Sequence, residues 1–243
     1  MSVRVRVLDD AGAVATAAAD AVADAARADA EIVLALPTGR TPIPLYVELA
    51  RRHAARAIDL TRARGFNLDE LVLPAGDART FRAFMDEHAW GRTGLSRERC
   101  EIPDGAARDL EAECRRYEDA MAAAGGLDLA LLGVGTDGHV AYNMPGPVRL
   151  PTHVTRLPDG LAASLGVPPE DRPLRAITMG IGTIRAARRI IVLATGESKA
   201  TAVRKLVHGP DDPEWPCSFL ATHANVDLIA DPGAARGLAP GGA

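Results

Sequence analysis

Three stretches of this chain constrain its fold more than anything else in it. EIVLAL (31–36), LDLALLGV (127–134) and RRIIVLAT (188–195) are almost unbroken apolar runs of strand length, each closing on a loop that contains Gly or Thr. A strand with one wet face alternates apolar and polar residues, whereas a strand covered on both faces reads as a continuous apolar run. Helical patterns lie between the runs. Residues 11–28 are Ala-rich, IPLYVELARRHAAR (43–56) has helical spacing with Pro42 at a first-turn position, and 78–90, 106–124, 183–188 and 198–208 also read as helices. Val3, Val5 and Val7 alternate with Arg4 and Arg6, as expected of a half-exposed first strand. RAITMGI and VDLIAD read as further strands, and ARGFNLDELV (63–72) as a strand running into a loop. Residues 143–174, rich in Pro and Gly, carry no assignable pattern. Strand and helix in alternation predict an α/β chain, a single domain over 1–243 with a largely parallel sheet covered on both faces.

Composition removes several function classes. With 28 Lys and Arg against 32 Asp and Glu, the net charge of −4 supplies no basic field for nucleic acid. Aromatic residues are 4% of the chain, too few to expect stacking platforms. No apolar run approaches the ~18 residues of a membrane span, and the opening MSVRVRVLDD lacks the apolar core of a secretory signal. The cysteines, Cys100, Cys114 and Cys217, are odd in number and show no CxxC spacing, which fits a reducing, cytoplasmic setting. A chain of this length buries ~70–75% of its unfolded surface and needs no staple. No HExxH or paired-His spacing points to a metal. A homo-oligomer is compatible with the sequence. The closing GLAPGGA is its only low-complexity stretch.

Ligands of open parallel sheets sit beyond the carboxyl ends of the strands, which directs attention to four loops expected on one sheet edge. Thr38-Gly39-Arg40-Thr41-Pro42 joins a buried strand to a helix start and suits a phosphate, or is a plain strand–helix turn with a Thr cap. Asn67, Asp69 and Glu70 place two adjacent acids at a strand end, either around a general base or as a helix cap. Gly133-Val134-Gly135-Thr136-Asp137-Gly138-His139 fits the glycine spacing of a dinucleotide loop, but Pro145, Pro147 and Pro151 interrupt the helix such a loop must open. The better reading is a strand end that brings Asp137 and His139 together for proton transfer. Gly196-Glu197-Ser198-Lys199 opens a helix and offers Lys199 to a phosphate. His53, His88 and His208 fall on expected helices as surface or packing residues; His153 and His223 stay open.

At these loops the sequence resembles the glucosamine-6-phosphate deaminase/isomerase family, which is related to 6-phosphogluconolactonase. ALPTGRTP is similar to the family's phosphate loop, GFNLDELV to its FNxDE segment, and DLALLGVGTDGHVAYNMPG to its DxxxxGIGxDGHIAFNEP signature. ITMGIGT, LATGESKATAV and SFLATH follow in the family's order, so the resemblance spans roughly residues 30–231. It implies a three-layer α/β/α sandwich with a mostly parallel, Rossmann-like sheet. It also implies conversion of glucosamine 6-phosphate to fructose 6-phosphate and ammonia with neither metal nor organic cofactor. By position, Asp69 matches the base that moves a proton between C2 and C1, and Asp137 and His139 match ring-opening acid–base residues. Gly39, Thr41 and Lys199 match phosphate binders, with Arg40 in place of a small residue. Thr38 adds a hydroxyl to the phosphate loop, and Glu70 and Met144 are further candidates for substrate contact.

Two positions depart from the family. Met144 stands where a Glu completes the ring-opening group, and a thioether cannot ionise. A further phosphate-binding Arg is expected near 164–167, where the chain reads Ser164, Leu165, Gly166 and Val167; Arg156, Arg172 and Arg175 are the nearby candidates to replace it. The alternatives to the deaminase reading are a 6-phosphogluconolactonase-type hydrolase, a sugar-phosphate isomerase of shifted substrate, and a sugar-phosphate sensor without turnover.

Overall fold

The structure is a computed structural model and describes residues 3–238. Of the closing GLAPGGA stretch, residues 239–243 lie outside the described residues. The strands are β1 (Arg4–Val7), β2 (Val33–Leu36), β3 (Arg64–Asn67), β4 (Asp69–Leu71), β5 (Cys100–Glu101), β6 (Leu129–Gly133), β7 (His153–Arg156), β8 (Arg175–Thr178), β9 (Arg189–Ala194) and β10 (Val226–Ala230). The α-helices are α1 (Ala11–Ala28), α2 (Ile43–Ala54), α3 (Phe81–His88), α4 (Leu110–Ala123), α5 (Asp159–Ser164), α6 (Ile181–Arg185) and α7 (Ala200–His208).

Seven strands form one parallel sheet in the order β1-β10-β9-β6-β2-β3-β5. The apolar runs lie at its centre for the reason their composition suggests. In β2, Leu34 and Leu36 face the layer holding α1, α2 and α3, while Val33 and Ala35 face the layer holding α4, α6 and α7. β6 divides the same way, with Leu129 and Leu131 on one side and Ala130 and Leu132 on the other. Successive side chains point to opposite faces, so a strand roofed on both must be apolar at every position. The result is a three-layer α/β/α sandwich. β1 is the edge strand whose alternation the sequence displays, and α1 starts where Asp10 caps it by accepting from the Ala13 amide at 2.8 Å.

The strand order reverses between β2 and β6. From β2 the chain moves outward to β3 and β5, then returns through β6 and moves the other way to β9 and β10. Crevices at the carboxyl ends of strands form at such a point.

A second, three-stranded antiparallel sheet, β4-β8-β7, adjoins the first. ARGFNLDELV is therefore a strand that passes from one sheet to the other rather than a strand running into a loop. Leu68 is the seam: its amide donates to Leu36 of the large sheet at 3.1 Å, and its carbonyl accepts from Met179 at 2.8 Å, one residue past β8. RAITMGI is a strand as expected, but in the small sheet, and its last residues open α6. The unassigned 143–174 segment supplies β7 and α5, both too short to impose a period.

Candidate active site

All four loops meet at the switch point, around a cleft of about 440 Å³. β2 delivers Thr38 to Pro42, the seam delivers Asp69, β6 delivers Gly133, Val134, Gly135 and His139, and the turn after β9 delivers Lys199. α5 forms the remaining wall through Leu161, Ser164 and Leu165.

Asp69 sits on the floor of the cleft, 5% exposed. Burial, reinforced by the neighbouring Glu70 charge and only partly opposed by the Thr38 hydroxyl, pushes its carboxyl up to about 8. That value lets one group both accept and return a proton near neutral pH. Glu70, beside it, takes another course. Its Oε1 accepts from the amides of Leu71 and Phe81, both at 2.7 Å, and its Oε2 accepts from Arg82 at 2.9 Å. It caps α3 from the opposite face of β4 and does not line the cleft. Substrate contact was expected of Glu70, but its oxygens are occupied by the amides of Phe81 and Arg82 at the start of α3 and of Leu71 in β4.

Asp137 and His139 form a pair, with His139 Nδ1 2.6 Å from Asp137 Oδ1. A carboxylate at this distance requires Nδ1 to carry the proton, so in the neutral ring Nε2 is the acceptor left for a ligand. Burial works to raise the Asp137 carboxyl, but the His139 ring and amide outweigh it and hold it below the usual value. Two glycines make this geometry. A Cβ on Gly135 would stand 2.2 Å from His139 Nδ1 and 2.6 Å from Asp137 Oδ1. Gly138 has φ of +82°, and a Cβ there would meet Trp215 at 2.8 Å. No helix follows this loop, which runs into a turn closed by the Asn143 amide on the Val140 carbonyl at 3.0 Å. The dinucleotide reading fails on that ground, as expected from the prolines.

In the 38–42 loop the amides of Gly39, Arg40 and Thr41 donate to no protein acceptor among the described residues. They precede α2, whose first residue position offers no side-chain cap. Free amides at a helix start form an anion cradle. Thr38 is turned to Asp69 as well as to the cleft. Arg40, exposed, and Lys199, half-buried, are the two cationic side chains on the lining. Burial lowers the Lys199 ammonium from its ordinary value while Asp137 pulls the other way. Its turn is fixed by Asp231, whose carboxylate accepts from the Gly196 amide at 2.8 Å and from the Ala234 amide at 2.7 Å.

None of Arg156, Arg172 and Arg175 lines the cleft. Arg172 donates to the Val167 carbonyl at 2.7 Å, bracing the chain after α5; Arg156 lies at a separate depression with Arg149 and His153. Met144, a candidate for substrate contact, lines that depression rather than the cleft and packs against the core. His223 is structural: Nε2 donates to the Ala187 carbonyl at 2.9 Å while Nδ1 accepts from the Asn225 amide. Among the described residues no group of three or more His, Cys, Asp or Glu is placed to hold a metal ion, and no helix is long and apolar enough to cross a membrane. Sequence reasoning missed Asp231, Phe81, Tyr142 and the α5 wall. Asp231 closes VDLIAD, and a carboxylate at a strand end beside another loop was its one signal.

Comparison with known proteins identifies the family and the fold. A family model described as glucosamine-6-phosphate isomerases/6-phosphogluconolactonase matches residues 9–229. A glucosamine-6-phosphate deaminase of Pseudarthrobacter chlorophenolicus is 42% identical over 230 residues, covering 91% of this chain and 87% of that one. Another, from Mycolicibacterium smegmatis, is 38% identical over 240 residues, covering 96% and 91%. Among solved structures, a glucosamine-6-phosphate deaminase described as monomeric superposes with a TM-score of 0.90 at 35% identity, covering 96% of this chain and 98% of the other. A 6-phosphogluconolactonase from Leishmania guyanensis, at 21% identity with a TM-score of 0.77 over 98% and 100% of the two chains, shares the fold.

Proposed function

The chain belongs to the glucosamine-6-phosphate isomerase/6-phosphogluconolactonase family, and from that premise we propose that it converts glucosamine 6-phosphate and water to fructose 6-phosphate and ammonia. The observation that carries this reading is Asp69: a buried carboxyl, raised to about 8, on the floor of a cleft whose rim offers a phosphate cradle. Hydrolysis of a lactone needs no carbon-acid base, whereas moving a proton between adjacent carbons needs one carboxylate held over both.

The residues divide the work as follows. The free amides at 39–41, with Arg40, Thr41 and Lys199, hold the phosphate, and this remote grip supplies binding energy that positions the far end of the sugar. His139 Nε2, oriented by Asp137, takes the O1 proton and a proton is returned to O5; the C1–O5 bond breaks and the open-chain aldehyde forms. Asp69 removes the C2 proton and returns it to C1, and O1 gains the proton that the nitrogen gives up, so that a C2 imine with a C1 hydroxyl forms. Water adds at C2 and ammonia leaves, which balances the overall reaction. Relatives at 37–42% identity named glucosamine-6-phosphate deaminase support this reading over the lactonases, which at 19–22% identity share the fold alone.

The test is a panel of amino-sugar phosphates and 6-phosphogluconolactone, scored for ammonia, fructose 6-phosphate and acid release. Ammonia and fructose 6-phosphate in equal amounts from glucosamine 6-phosphate are expected. Acid release from the lactone without ammonia from any amino sugar would replace this reading with the hydrolase. Binding without turnover of any member would make the chain a sensor.

A further inference from the structure

Tyr142 lines the cleft and the chemistry above leaves it unused. Its placement is built with care. Val140 to Asn143 is a tight turn, closed by the Asn143 amide on the Val140 carbonyl at 3.0 Å. The Asn143 side-chain amide clamps the turn from behind, donating to the Val140 carbonyl at 3.0 Å and to the Met179 carbonyl at 2.8 Å. Ala141, in the turn, has φ of +50°, a left-handed conformation that costs a non-glycine residue energy. The Tyr142 amide donates to the Thr178 hydroxyl at 3.0 Å, and its ring stacks on Phe81 with centroids 5.9 Å apart and planes at 26°. The His139 ring lies 6.5 Å away, centroid to centroid.

The phenol at the end of this support has no hydrogen-bond partner among the described residues, yet it is absent from the buried polar atoms sealed off without one, such as both amide atoms of Asn67. It therefore opens on the cleft. Burial first, and then the Asp69 and Glu70 charges, hold its proton on. A neutral phenol on the lining it shares with a carboxylate base is a hydrogen-bond donor waiting for an acceptor that gains charge. The family signature quoted above has Phe at this place, where this chain carries a hydroxyl.

We propose that Tyr142 is a further catalytic residue, donating its O–H to O1 of the open-chain sugar as Asp69 takes the C2 proton. This inference rests on the deaminase reading. In the step, the C2–H bond breaks and its proton goes to Asp69. The C–H electron pair becomes the C1–C2 double bond, and the carbonyl pair moves onto O1. The phenol keeps its proton and hydrogen-bonds the developing oxyanion.

The experiment compares wild type with Tyr142→Phe, a change that preserves ring, stacking and fold. The substrate is glucosamine 6-phosphate, and two open-chain ligands are bound in parallel. 2-Amino-2-deoxygluconate 6-phosphate carries negative charge at the C1 oxygens; 2-amino-2-deoxyglucitol 6-phosphate carries a neutral hydroxyl there. Removing one such donor lowers kcat by about 10²-fold while KM stays nearly constant. The gluconate should bind about 10–100-fold more weakly to the variant, and the glucitol equally well. Unchanged kcat, or an equal loss for both ligands, would overturn the proposal. If wild type releases no ammonia, the deaminase reading fails, while the difference between the two ligand affinities still decides whether Tyr142 serves the C1 oxygen.

Discussion

Replacing Asp69 by Asn should make the protein more stable above pH 5, and by a growing margin. The wild-type carboxyl holds its proton up to about pH 8 in the fold, against an ordinary value of 3.8. As pH rises from 4, the unfolded chain loses this proton first, so the native state binds more protons and its stability falls until the folded value is passed. At one pKa unit per ~1.4 kcal/mol, the ionisation costs the native state about 4 kcal/mol at pH 7. Asn has the same shape and no charge to desolvate. Urea unfolding of both proteins at pH 5 and pH 8 is the assay, and comparing the two pH values cancels any constant packing difference. The stability gap should move by about 3–4 kcal/mol in favour of Asp69→Asn between them. Parallel pH profiles, with the gap changing by less than ~1 kcal/mol, would mean that Asp69 ionises as an ordinary carboxylate. The reasoning that makes it a poised base would then be refuted.

Lys199→Ala removes a charge-assisted contact of about 1.5–3 kcal/mol; KM for the sugar phosphate and the inhibition constant of inorganic phosphate should both rise by about 10–100-fold, and no change in either would remove Lys199 from the phosphate site. Gly135→Ala drives a methyl into the Asp137–His139 pair, so kcat should collapse while inorganic phosphate inhibits as before; retained turnover would show the pair to be dispensable. Glu70→Gln sets an amide N–H against donors that now meet a carboxylate, at a cost of about 2–3 kcal/mol. Thermal unfolding should report a Tm lower by about 4–12 °C, and an unchanged Tm would deny Glu70 its role at the start of α3.

Strands buried on both faces wrote themselves into the sequence as apolar runs, and their parallel order put the four loops on one edge. That much of the site was legible because each loop is contiguous: Asp137 and His139, or Gly39 and Thr41, are neighbours in chain as well as in space. What was not legible depends on distant pairing. Asp69 lies opposite Thr178, and this register places the seam between the sheets. Nothing local to NLDE distinguishes a strand changing sheets from a strand entering a loop. Glu70 looked like a site residue because it adjoins Asp69, yet consecutive residues of a strand face opposite ways. Met144 shows the same limit, since a tight turn at 140–143 separates it from the pair it follows in sequence. Short elements such as α5 carry too few residues for a period to emerge, so the apolar wall they supply was invisible.

The most direct test of the account is hydrogen exchange at the reacting carbon. Wild type and Asp69→Asn are incubated with glucosamine 6-phosphate in deuterium oxide, and deuterium at C1 of the fructose 6-phosphate formed, and at C2 of recovered substrate, is followed by NMR. With Asp69 as the base that carries a proton between C2 and C1, wild type incorporates deuterium and the variant does not, although inorganic phosphate still inhibits residual turnover or binds as in wild type. Deuterium entering at the wild-type rate in Asp69→Asn would place the base elsewhere and contradict the account at its centre.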